Sequence, residues 1–163
     1  MPEGPFPDFG ALLAPFITQV PDEDRPRFLA LLERGAAARY RAWSEELAEH
    51  AGPLLACARR EDEIADRIER TFAIDPAVLA RAEAALPGAR DVYYAVFRGL
   101  PVGEQLRVQA EAERQGAAAW RRIAGRVSDP AILAELAACS ALEEESARVV
   151  DGLVAAIAGA APV

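Results

Sequence analysis

The chain has 163 residues, 52% hydrophobic and 27% charged, the balance of one globular domain spanning 1–163 rather than of a disordered or fibrous chain. Its formal charge of −8, from 18 basic and 26 acidic side chains, argues against nucleic acid or an anionic membrane surface as a partner. All 18 basic residues are arginine, so no Schiff-base or phosphate-loop lysine can enter a mechanism.

Ala, Leu, Glu and Arg recur at helical spacing and alternating β-branched runs are missing, so the sequence predicts an all-α fold. An apolar lead, Phe9–Val20, comes first. The acids Asp22-Glu23-Asp24 and Pro26 then open a helix over about 24–51, which Gly52-Pro53 is expected to end. A second helix spans about 53–72. Asp75-Pro76 restarts the chain into a crossover, about 73–101, expected to be cut at Pro87-Gly88 and near Gly99-Leu100-Pro101. A third helix covers about 102–127, and Ser128-Asp129-Pro130 starts a fourth over about 130–158, with Ala160–Val163 expected to fray. Tight turns inside each pair and one long crossover between the second and third helices predict a four-helix bundle of two antiparallel pairs.

The two pairs repeat each other. Glu33–Arg41 on the first helix matches Glu113–Arg121 on the third, and Cys57–Ala65 on the second matches Cys139–Ala147 on the fourth, at offsets that agree within two residues. On the helical wheel the apolar stripes of the four helices each include or adjoin one glutamate: Glu33, Glu61, Glu113 and Glu143. Four ionised carboxylates in one interior would each cost several kcal/mol unless something answered them. No cation stands four residues before or after any of them. Metal ions, arginine from another helix, or carboxyls kept neutral are the available compensations.

This pattern resembles the ferritin-like superfamily, of the rubrerythrin and bacterioferritin sort, over about Asp24–Ala158. The resemblance implies a dinuclear iron or manganese centre with an oxidoreductase type of activity, its metal ligands being Glu33, Glu61, Glu113 and Glu143. The family's second and fourth helices carry Glu-x-x-His, whereas this chain has Ile64 and Ser146 at the two histidine positions. The sole histidine, His50, lies about 25 Å of helical rise from Glu33 and reads as a helix-end residue. An all-oxygen set favours hard ions such as Mn²⁺, Mg²⁺ or Ca²⁺.

Alternative readings stand beside these. The glutamates could be exposed by helix rotation or paired with arginine, leaving a metal-free bundle that binds a small molecule or a partner protein. Tyr40 and Trp120 are candidate cofactor-site residues by their place seven residues after Glu33 and Glu113, and ordinary core aromatics by the simpler reading. Cys57 and Cys139 are expected as free, core thiols that could approach each other across the repeat. Arg67 and Arg148 are expected to pair with Glu63 and Glu144. The aromatic run Val92–Phe97 must cover something, either the core, a substrate pocket or a homodimer interface, toward which the expectation leans. No apolar run reaches bilayer length, and Met1–Pro7 lacks the basic start of a signal peptide, so a cytoplasmic location is the expectation.

Overall fold

The computed structural model describes residues 6–160 and is all-α, with six helices and no strand among them. The expectations for the extreme ends, Met1–Pro5 and Ala161–Val163, lie outside the described residues. The helices are α1 Phe9–Ile17, α2 Arg25–Glu46, α3 Ala51–Thr71, α4 Pro76–Ala95, α5 Val102–Ala124 and α6 Pro130–Ala160. No described helix is long and apolar enough to cross a membrane.

Several boundaries follow from local chemistry. Asp8, Asp75 and Asp129 accept hydrogen bonds from the backbone N–H of Ala11, Ala77 and Ala131, satisfying donors that a helix start leaves open. Gly99 has φ +78°, a left-handed conformation that lets the chain turn from α4 into α5. Two expected breaks fall elsewhere. α2 stops at Glu46, and Gly52-Pro53 sits inside the first turn of α3. Proline there loses no useful donor, but its ring would clash with a helical carbonyl four residues back, so the break is forced upstream into Leu47–His50. His50 accordingly stands at the start of α3 rather than at the end of α2. α4 also continues through Pro87-Gly88 instead of being cut: Pro87 is exposed, and the carbonyl it leaves unpaired belongs to exposed Glu83.

α2 lies along α3, α5 along α6, and α3 along α6. Cross-helix pairs fix the directions as antiparallel. Arg27 reaches the carbonyl of Phe72 at 2.8 Å and Arg34 reaches Asp62, Asp66 and Glu69. Arg114 pairs with Asp151 and Arg121 with Glu144. Arg67 binds Glu135 at 2.8 Å while Arg60 faces Glu145. Of the expected surface pairs, Arg67–Glu63 forms, whereas Arg148 takes Glu145, one residue nearer, while Glu144 is engaged by Arg121.

The fourth side, between α2 and α5, is different. These helices do not pack closely along their length; α1 and α4 lie over this side, packed on each other and on α2. Phe16 of α1 occupies the space where a β-carbon on Gly88 would sit, 2.5 Å from that point. Gln115 of α5 holds the start of α1 with two bonds, accepting from the Phe9 N–H and donating to the Pro7 carbonyl, both at 2.9 Å. The aromatic run faces inward. Phe97 is buried and, with Tyr93, packs edge-on against neighbouring rings, and the Arg39 guanidinium stacks on Phe97, Trp43 and Tyr94 at 3.9, 4.6 and 5.1 Å. Part of the run thus packs on the core, through Tyr93, Val96 and Phe97, while Tyr93 and Tyr94 also line a cavity.

Candidate metal centre and cavity

The apolar stripes face the interior, with Tyr40 and Trp43 on α2, Ile64 and Ile68 on α3, Leu106 and Trp120 on α5, and Leu136 and Val150 on α6 all buried, so the helical phase places the glutamates inside. Glu61, Glu113 and Glu143 are no more than 2% exposed; Glu33 is half-buried, with its carboxyl turned inward. Ligand oxygens of Glu33, Glu61 and Glu143 lie within 4.8 Å of one another. Glu113 stands within hydrogen-bonding reach of Glu143, and Glu33 of Glu61. No arginine answers any of the four in the ion pairs of the described residues, whose acids all belong to other positions. The arginine reading of the cluster is thereby removed.

Neutral donors hold the carboxylates in place. Tyr40 and Gln109 each donate to Glu113 Oε1 at 2.6 Å, Trp120 Nε1 donates to Glu143 Oε1 at 3.0 Å, and Ser146 donates to Glu61 Oε1 at 3.1 Å. Tyr93 donates in turn to Gln109 at 2.5 Å. The second oxygens of Glu61 and Glu113 are buried with no N–H or hydroxyl donor on them among the described residues, only neighbouring carboxyls standing within reach, a condition that costs about 1–3 kcal/mol or more for each such atom while the carboxyls are ionised. Burial drives the Glu33 carboxyl up to about 8, helped by the Glu113 charge and opposed by its bond with Glu61. Glu61 and Glu143 are likewise pushed well up, by burial first and then by the neighbouring carboxylates. The same site raises the Tyr40 hydroxyl through burial and the Glu113 charge.

Tyr40 and Trp120 are thus core residues whose side chains also donate to candidate ligands. Their bonds break the repeat: Tyr40 reaches across to α5, while Trp120 reaches α6 within its own hairpin. Ile64 is fully buried among Ala30, Ala65 and Leu136, and its position offers no ligand atom. Cys57 and Cys139 are buried free thiols in separate clusters, raised by burial to about 11 and about 12.

Four contributors escaped the sequence reading. Gln109, one turn before Glu113, had a legible signal in its spacing. Ser146 stood out only as a missing histidine. Tyr93 lay in the aromatic run. Gly116 had no signal: a β-carbon there would sit 2.5 Å from Glu143 Oε1, and only the tertiary fold brings that carboxyl against it.

A cavity of about 990 Å³ opens onto this cluster between α2 and α5, at the upper end of the usual range for ligand pockets. Glu33, Glu113 and Glu143 form its floor, while Glu61 lies behind them, outside the lining. Leu29, Leu32, Ile123 and Leu13 supply apolar wall. No family model, curated protein or solved structure matches this chain.

The donor set fits one hard divalent cation. Oxygens of Glu33, Glu61 and Glu143 are close enough to share an ion, and Glu61, whose second oxygen has no donor, is one of the three. The imidazole pair that the family resemblance implies has no counterpart at Ile64 and Ser146, which makes the set all-oxygen.

Proposed function

We propose that this protein is a ferritin-like four-helix bundle that binds a divalent metal at Glu33, Glu61 and Glu143, with Glu113 completing the site, and acts on a molecule held in the adjoining cavity. The observation that carries the reading is the group of buried carboxyl oxygens of Glu33, Glu61 and Glu143 within 4.8 Å of one another, one of them on Glu61 with an undonated second oxygen, where no arginine reaches among the described residues. Uncompensated, such groups are among the most expensive in a protein interior. A divalent ion removes that cost and ties α2, α3 and α6 together at one point.

If the ion is iron or manganese, it would supply redox chemistry to the cavity. The chain's own residues do the rest. Tyr40 and Gln109 fix Glu113 by one oxygen and leave the other free. Trp120 and the bare surface of Gly116 set the position of Glu143. Ser146 fixes Glu61 without adding charge. The apolar walls limit water around the floor.

A second reading draws on the upward shift of the same carboxyls: protonated, they would bond to one another in a metal-free bundle that only binds a ligand. Elemental analysis and titration with Mn²⁺ and Fe²⁺ after EDTA treatment separate the two. The metal reading expects one equivalent per chain, a melting temperature that rises with either ion, and loss of both effects in a Glu61→Gln, Glu143→Gln double variant. A metal-free protein whose melting temperature ignores both ions overturns it.

A further inference from the structure

The charges at the cavity mouth are opposite to those of its floor. Arg90, Arg122 and Arg126 all line the cavity and all are exposed. On α5 the ion pairs engage Arg107, Arg114 and Arg121, which leaves Arg122, and Arg126 just past the helix end, outside the ion pairs of the described residues. Arg90 lies across the opening on α4, its Nε 3.9 Å from where a β-carbon on Gly35 would be. The acids near the mouth are already occupied: Asp22 pairs with Arg25, Glu111 with Arg114, and Asp8 caps α1. In a chain of charge −8, three free guanidinium groups around one apolar chamber make a local field of the opposite sign.

We propose that the cavity takes an organic monoanion with an apolar body, its acidic head held at the mouth by Arg90, Arg122 and Arg126 and its uncharged end directed to the carboxylate floor. The orientation follows from charge. An anionic head would be repelled by Glu33, Glu113 and Glu143 and attracted by guanidinium groups, which bind planar oxyanions by two parallel bonds. The apolar walls then take the body of the molecule. This rests on the preceding reading only in treating cavity and carboxylates as one site; it needs no metal.

The test uses the EDTA-treated full chain and three probes of equal chain length, decanoate, decan-1-ol and decylamine, by titration calorimetry. Decanoate is expected to bind about tenfold or more tighter than the alcohol, the scale of one charge-assisted hydrogen bond. In an Arg90→Gln, Arg122→Gln, Arg126→Gln variant, decanoate should fall to the affinity of decan-1-ol while the alcohol is unchanged. Because those side chains are exposed, the melting temperature should stay the same. Ala119→Phe, placed on the cavity wall, should weaken acid and alcohol alike. Equal affinity for acid and alcohol, a preference for decylamine, or no binding of any probe overturns the proposal. Since no metal is present, those failures leave the metal titration to stand or fall separately.

Discussion

Gly116 and Gly152 give the same substitution opposite signs. A methyl on Gly116 would meet the Glu143 carboxyl from 2.5 Å, whereas at exposed Gly152 it meets nothing within 4 Å. In a helix interior alanine is favoured over glycine by about 0.8–1 kcal/mol, so Gly152→Ala is expected to raise the melting temperature. Gly116→Ala gains the same propensity but must displace a buried, hydrogen-bonded carboxyl, at about 1–3 kcal/mol for overpacking alone. It should therefore melt lower than the parent and bind Mn²⁺ more weakly, both read by calorimetry. The inward placement of Glu61 and Glu143 was legible from the sequence because each fills a gap in an apolar stripe of period 3.6. What opposes each carboxyl was not legible: Ser146 and Glu61 are 85 positions apart, and Gly116 and Glu143 meet only through packing.

Among the helices, α1 is the one whose attachment is most local. It rests on α4 through Phe16 against Gly88, and its start is tied to α5 by the two bonds of Gln115. Gln115→Ala removes both bonds and leaves the Phe9 N–H and the Pro7 carbonyl to find water. The expected result is faster hydrogen exchange over Phe9–Ile17, with α3 and α6 unchanged; equal exchange in the two proteins would show that Gln115 does not hold α1. The long helices were readable from their capping residues and periodicity. α4 was not, because Pro87-Gly88 reads as a break and only the exposure of Pro87 and the seat for Phe16 show why the helix runs on. The α2–α3 turn was misplaced for the converse reason, since Pro53 acts on the carbonyl four residues upstream of itself.

For the chain as a unit, the carboxyl cluster makes stability depend on pH. A carboxyl whose folded value is raised binds its proton more tightly in the native state, so its contribution is complete below its unfolded value and is lost as pH rises through the folded one. For Glu33 that interval runs from 4.5 to about 8, and Glu61 and Glu143 shift in the same direction. The metal-free protein is thus expected to melt highest near the acid end of that interval and progressively lower toward its upper end. Asp66 and Glu145, held down by Arg34 and Arg148, act oppositely at lower pH. Scanning calorimetry across the interval tests this. A Glu33→Gln, Glu61→Gln, Glu143→Gln variant should flatten the slope, and a parent whose melting temperature is level would contradict the assigned shifts.

The distribution of ion pairs has a mechanical consequence. Three of the long seams are stitched by arginine to acid, while among the described residues the side between α2 and α5 carries only the small clasp of Tyr40 on Glu113 and of Arg39 and Trp43 on Gln105. The molecule is bound like a book, with α3 and α6 as its spine and the chamber at its fore-edge. Mechanical give is therefore expected first at the fore-edge, where α1 and α4 lie over the chamber, before the stitched seams and the register of the carboxylates between them yield.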